Sequence, residues 1–251
     1  MVQIKSQKEI ALMIKAGELA AEALELAGKS IAPGISTWEI DRIVHDFIVS
    51  RGGKTPCEGY CGFPGCNCVS INEELIHGIP SKTKIVKDGD IVSVDIVAEL
   101  NGYMGDNTKT FRVGRIAEET ERLLQVTEQA LYEGISKAVA GNRIGDISNA
   151  VQTHVEKNGF YIVRRYIGHG IGREMHEDPE VPNFGRAGHG VRLVPGMAIA
   201  IEPMINQSTE EVKVLKDNWT VVEGNGKMSA HFEHTVLITD GEPLILTLSS
   251  H

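Results

Sequence analysis

Apolar residues return every three to four positions in four stretches, the spacing of a helix with one buried face. Residues 6–27 open with Ser6 and Glu9, a capping box, and continue with Ile10, Met13, Ile14 and Leu24. Ser36 and Glu39 form a second capping box ahead of Ile40, Ile43, Val44, Phe47 and Ile48, and Gly52-Gly53 ends that helix. Residues 117–139 carry Leu123, Leu124, Ala130 and Leu131 on one face, and residues 146–157 form a fourth helix capped by Gly159. Short apolar runs bounded by turns predict strands. These are 91–97 after Lys87-Asp88-Gly89-Asp90, 109–113 after the hairpin signal Asn101-Gly102, 197–201 after Val194-Pro195-Gly196, and 231–239.

The pattern repeats once. Gly34, Ile40, Val44 and Gly52 recur 107 residues later as Gly141, Ile147, Val151 and Gly159. Gly89, Val92, Val94 and Asp95 recur at the same offset as Gly196, Ile199, Ile201 and Glu202. Two pseudo-symmetric halves, about 30–113 and 137–240, are expected, with helix 117–139 bridging them. No linker or low-complexity segment divides the 251 residues, so a single α/β domain is expected.

Composition narrows the function classes. No run of about 18 apolar residues is present to span a bilayer. The first ten residues hold Lys5, Lys8 and Glu9 and lack the apolar stretch of a secretory signal, so a cytoplasmic protein with no membrane role is expected. A net charge of −9 opposes a nucleic-acid surface. Cys57, Cys61, Cys66 and Cys68 crowd into twelve residues, but their spacing fits no familiar zinc knuckle, and thiols lining a loop are expected instead.

The repeat puts Asp95 and Glu202 at equivalent places, each closing an apolar strand, where a carboxylate is costly to bury unless paired or bound to metal. Asp106-Asn107-Thr108 and Glu233-His234-Thr235 share an acid-x-Thr pattern. Four such carboxylates meeting at a pseudo-twofold axis raise one another's pKa unless cations join them. Two divalent ions about 3.5–4 Å apart would resolve the clash. His169 lies among glycines in Tyr166-Ile167-Gly168-His169-Gly170-Ile171-Gly172, with His176 seven residues on and His77 before the first strand of the repeat. Mixed carboxylate and imidazole donors suit cobalt, manganese, iron or zinc.

Four segments carry a resemblance. Ser70-Ile71-Asn72-Glu73-Glu74-Leu75-Ile76-His77-Gly78-Ile79-Pro80, Gly168-His169-Gly170-Ile171-Gly172, Ile201-Glu202-Pro203-Met204 and Glu233-His234-Thr235 together resemble type I methionine aminopeptidases, over nearly the whole chain. The resemblance implies the pita-bread α/β fold around a dinuclear metal centre. It implies that Asp95 chelates one ion, that Asp106 and Glu233 bridge both, and that His169 and Glu202 complete the second. It further implies Glu202 as general base, His176 at the scissile carbonyl and His77 at the substrate amide. Cys57, Tyr60, Phe63, Cys68 and Trp219 would form the methionine pocket, a set of soft and aromatic contacts suited to a thioether. A monovalent cation is implied around Asn72, Glu74 and Ser229. The expected substrate is a nascent polypeptide whose first residue is methionine and whose second is small. Acting on nascent chains would bring the protein transiently to the ribosome, although no basic tail argues for docking there. A monomer is expected.

Two positions depart from the resemblance. Met175 stands where an aromatic residue is frequent, and His231 where glutamine is common; both are expected to flank the substrate pocket. Three other readings compete. A prolidase or Xaa-Pro aminopeptidase of the same fold would use the same ligands, but the sulfur and aromatic pocket favours methionine. A non-catalytic pita-bread binding protein would be expected to lack ligands, and all five are present. A zinc-binding RNA module needs a basic face, which the charge opposes.

Overall fold

The computed structural model describes residues 2–249. Four helices, α1 (Gln7–Ser30), α2 (Thr37–Ser50), α3 (Glu118–Ile135) and α4 (Ile144–Lys157), alternate with the strands. The first half supplies β1 (Cys68–Ile71), β2 (Glu74–Ile76), β3 (Ile91–Leu100) and β4 (Tyr103–Arg112). The second begins with β5 (Tyr161–Ile162), β6 (Gly168–Gly170), β7 (Glu177–Val181), β8 (Ala198–Ile201) and β9 (Met204–Asn206). It ends with β10 (Val212–Val214), β11 (Val221–Glu223), β12 (Ser229–His231), β13 (Glu233–Leu237) and β14 (Leu244–Ile245).

Both capping boxes form with their two reciprocal bonds, Ser6 with Glu9 and Ser36 with Glu39, so α1 and α2 start where local chemistry satisfies their first N–H groups. The main sheet is antiparallel, in the order β1-β3-β4-β13-β8-β6-β7, with β14 also against β13. Two three-stranded sheets, β10-β11-β2 and β12-β9-β5, stand beside it.

The helices cover one face. Val92, Val94, Ile96 and Ala98 of β3 pack with Leu19, Ala20, Ala23, Ile40, Val44 and Ile48 of α1 and α2. Ile199, Ile201 and Val236 of β8 and β13 pack with Leu123, Leu131, Ile147 and Val151 of α3 and α4. At Gly105 helix α1 meets β4 backbone to backbone; a Cβ there would stand 2.6 Å from the Gly17 Cα. Side chains alternate along a strand, so Asp95, Asp106, Glu233 and Glu202 follow the opposite face.

Helix α1 runs on to Ser30, α3 stops at Ile135, short of the expected 139, and α4 starts at Ile144, ahead of the expected 146; two strands differ more from the sequence pattern. β4 begins at Tyr103, six residues before the expected strand, because Asn101 and Gly102, both at positive φ, close a tight hairpin and the ladder with β3 runs unbroken from Leu100↔Tyr103 to Ile91↔Arg112. Residues 105–108 hide that strand from a hydropathy reading, since Asp106 and Thr108 face the site while Gly105 and Asn107, on the other face, meet the Gly17 backbone and the Thr247 carbonyl. The expected strand 231–239 divides at Phe232: β12 pairs with β9, and β13 with β4 and β8. Among the described residues no helix is long and apolar enough to cross a membrane.

Candidate metal centre

Strand register brings the acidic residues together. Cys68 lies opposite Asp95, Asp95 opposite Thr108, and Thr108 opposite Glu233, a single row across β1, β3, β4 and β13. Asp106 is two residues before Thr108 on the same face, and Glu202 follows Ile201, which pairs with His234. His169 enters from β6 between two glycines that must be glycine. A Cβ at Gly168 would stand 2.4 Å from the Ala200 carbonyl oxygen, and one at Gly170 would stand 2.1 Å from that of Asp178.

Donor atoms of Asp106, His169 and Glu233 lie within 4.8 Å of one another. His169 Nε2 is 3.4 Å from Glu202 Oε1 and 3.8 Å from Asp106 Oδ2. Its Nδ1 lies 2.9 Å from the Gly170 carbonyl oxygen, which only a protonated Nδ1 satisfies, so Nε2 faces the carboxylates with a free lone pair. Asp106 Oδ1 and Glu233 Oε1 are buried with no protein partner.

The electrostatics are those of like charges crowded out of water. Burial pushes Asp95 up to about 6. Burial, then the neighbouring acids, raise Asp106, Glu233 and Glu202 well above the usual carboxylate range. Burial, then His176, lowers His169 to about 4. Orphaned buried oxygens, clustered carboxylates and a neutral imidazole form a donor set that divalent cations fit.

A stability test follows by linkage. Asp106, Glu202 and Glu233 hold protons more tightly folded than unfolded, so their contribution is complete below their ordinary values near 4 and is lost as pH rises towards the folded values. His77 and His169, lowered to about 4, act oppositely: their contribution is present above their ordinary value and is lost as pH falls towards 4. Between about pH 6.5 and 8 the histidine contribution is complete and the carboxylates dominate. Chelator-treated protein should therefore melt at a lower temperature as pH rises through that window, and saturating Mn²⁺ should flatten the trend. Thermal melts in EDTA that rise with pH would contradict the assignment.

All five carboxylate and histidine ligand candidates line one cavity of about 220 Å³ together with His77, His176, Cys57, Tyr60, Phe63, Cys68 and Trp219. His77 follows β2 at φ 57, a left-handed conformation uncommon for a residue with a Cβ. Its ring meets Trp219 edge-on at 6.1 Å, and Trp219 meets Phe63 at 5.1 Å. Burial, then Asp95, pushes the Cys57 and Cys68 thiols well above their usual range, leaving soft, neutral walls. Tyr60 Oη lies 3.1 Å from His176 Nδ1, and the His176 ring is 4.5 Å from that of His169.

The remaining expectations separate. The Ser229 N–H donates to the Asn72 carbonyl, but the Glu74 carboxylate is engaged by the Ile71 N–H and by Lys84 Nζ at 2.7 Å. Cys61 is exposed, while the Cys66 N–H donates to Asp41 Oδ1, so neither joins the pocket. Met175 does line the cavity. His231 flanks it without lining it: it is buried, with Nε2 3.7 Å from Oε2 of Glu202, which does line the cavity. Ile76, Val97, Tyr166 and Ile167 also form the wall. No spacing in the sequence marks them, since they are apolar or aromatic residues of ordinary strands and turns.

Residues 11–240 match the description of metallopeptidase family M24. A methionine aminopeptidase from Clostridium acetobutylicum is 50% identical over 248 residues, covering 99% of both chains. A solved methionine aminopeptidase from Thermotoga maritima superposes with a TM-score of 0.98 at 44% identity, covering 99% of this chain and 100% of that one. Its likeness extends to the whole α/β pita-bread arrangement. A prolidase from Pyrococcus furiosus gives 0.79 at 24% identity, covering 99% of this chain and 66% of that one, a likeness of fold alone.

Proposed function

The chain belongs to metallopeptidase family M24 and, within it, to the methionine aminopeptidases, and from that premise we propose how its residues divide the work. It is a metal-dependent aminopeptidase that removes an N-terminal methionine. Asp95, Asp106, His169, Glu202 and Glu233 hold two divalent ions, drawn from cobalt, manganese, iron or zinc. When bound, the ions supply Lewis-acid activation of water and of the scissile carbonyl. Glu202 takes the proton of the attacking water, a role open to a carboxylate that lines the same cavity. It returns that proton to the departing amine. His176, its Nδ1 accepting from the Tyr60 hydroxyl, presents Nε2–H to the carbonyl oxygen as charge develops there. His77, held neutral by burial, contacts the substrate amide.

The observation that carries this reading is one cavity lined both by the ionisable cluster and by Cys57, Tyr60, Phe63, Cys68 and Trp219. A methionine side chain packs against these sulfur and aromatic groups while its peptide bond meets the carboxylates and histidines. The confined volume restricts the second residue to small side chains. The protein acts as one catalytic domain and as a monomer, on nascent polypeptide N-termini in the cytoplasm, with transient ribosome contact; a monovalent cation sits around Asn72, Glu74 and Ser229.

The test strips the protein with a chelator and follows methionine release from Met-Ala-Ser while manganese, iron, cobalt and zinc are titrated separately. Metal-dependent release is expected, much slower with a bulky second residue. Equal rates with bulky and small second residues would refute the size rule, and cleavage of only an Ala-Pro peptide would move the chain to the Xaa-Pro reading. His176→Ala should lower kcat by about 10²–10³ with a smaller change in KM, measured by steady-state kinetics at saturating Mn²⁺. An unchanged kcat would remove His176 from the carbonyl.

A further inference from the structure

The acid-x-Thr segment occurs twice, and the chemistry above uses only the acids. Asp106 and Thr108 of β4 share the site face, as do Glu233 and Thr235 of β13. The two strands are antiparallel neighbours, paired at Glu233↔Thr108 and His234↔Asn107. The ladder stops there, because β13 continues against β14, with Val236 opposite Ile245. Thr235 N–H turns to Thr247 Oγ1, and the Thr235 carbonyl accepts from the Leu246 N–H. The next rung, Asp106 with Thr235, is thus missing from the backbone.

A side chain completes it. The Asp106 N–H donates to Thr235 Oγ1 at 3.0 Å, and Thr235 Oγ1 donates to the Asp106 carbonyl at 2.9 Å. The other segment reciprocates: Thr108 Oγ1 donates to Glu233 Oε2 at 2.8 Å, leaving Oε1 without a protein partner. All four residues are at most 5% exposed, so water does not stand in for either hydroxyl. A β-branched side chain has little χ1 freedom, which makes each hydroxyl a fixed post.

We propose that Thr108 and Thr235 are positioning residues for the metal centre, the threonine of each half holding in register the carboxylate that the other half presents to the ions. The proposal rests on the ligand assignment above. Thr108 orients the Glu233 carboxylate itself. Thr235 anchors the Asp106 peptide where the strand pair diverges, and through it the direction of the Asp106 side chain. Partners of metal ligands typically change affinity by about 10–100-fold when removed.

The experiment compares Thr108→Val and Thr235→Val, which keep shape and lose the hydroxyl, with Thr108→Ser and Thr235→Ser, which keep it. Thr127→Val removes a buried hydroxyl bonded to the Leu123 carbonyl inside α3, away from the site, and reports the cost to the fold alone. Each chelator-stripped protein is titrated with Mn²⁺ by calorimetry and melted in EDTA. The valine variants at 108 and 235 should bind Mn²⁺ about 10–100-fold more weakly, with the serine variants recovering most of the loss. Thr127→Val should lower the melting temperature and leave Mn²⁺ affinity unchanged. If Thr108→Val and Thr235→Val also lose only melting temperature, or if serine fails to rescue, the hydroxyls serve the fold alone and the proposal falls. Should Thr235→Val not fold, Thr108→Val and both serine variants still decide. Asp106→Ala separates the two levels: unchanged Mn²⁺ affinity there would overturn the ligand assignment itself.

Discussion

Asp106→Asn is expected to lose divalent-ion binding and peptidase activity together, while its metal-free form melts higher than the metal-free parent. The substitution conserves volume and removes one ionisable carboxyl from a cluster where burial, then Glu233 and Asp95, already raise the Asp106 carboxyl. Asp106 Oδ1 is buried without a protein partner, and Oδ2 is 3.8 Å from His169 Nε2. An amide in that position turns an N–H towards a region built to receive cations and weakens the donor set shared with Glu233 and His169. The several kcal/mol of transition-state stabilisation that bound ions supply, about 4 or more, would be lost, a fall of about 10³-fold or greater in kcat/KM. Stability without metal moves the other way, because one fewer carboxylate must stay protonated above neutral pH. Metal content, kcat/KM on Met-Ala-Ser and melting temperature in EDTA are the three measurements. Retained metal with retained activity would sink the assignment of Asp106 as a shared ligand.

Glu202→Gln should separate chemistry from metal binding. Glutamine keeps a carbonyl oxygen for an ion and loses the ability to accept a proton. The backbone there is pinned, since Asn183 Nδ2 donates to the Glu202 carbonyl at 2.9 Å, so the replacement side chain starts from the same place. General-base removal typically costs about 10²–10⁴ in rate. The expected outcome is that loss in kcat at saturating Mn²⁺, with Mn²⁺ affinity falling less than in Asp106→Asn. A kcat close to the parent's would assign the proton transfer to another group, and equal affinity losses in the two variants would mean that Glu202 acts chiefly as a ligand.

Much of the fold was legible because its signals are local. The capping boxes at Ser6 and Ser36 are complete within four residues, and α1 and α2 begin where they predict. The alternation in 91–97 marks β3 and its helix-covered face, although the strand extends to Leu100. The limits of such reading appear at β4. Gly105-Asp106-Asn107-Thr108 carries no apolar alternation, and the strand is held there by β3 on one side and, at Asn107 and Thr108, by β13 on the other. His231 shows a second limit. The break at Phe232 puts it in a different sheet from Glu233, two residues on, and it flanks the pocket through Glu202.

The sequence by itself determined the four helices and the starts of α1 and α2, the glycines that admit His169, and the residue types available for metal, proton and thioether chemistry. Those properties depend on neighbours a few positions apart or on side-chain chemistry alone. Only the tertiary structure decided which atoms meet. Thr108 reaches Glu233 across 125 residues of chain, Thr235 reaches Asp106 across 129, and Tyr60 reaches His176 across 116. Such contacts depend on strand register and on where a ladder ends. A one-residue slip in register moves each side chain to the other face, so the convergence of these groups belongs to the packed sheet and to no segment of the sequence alone.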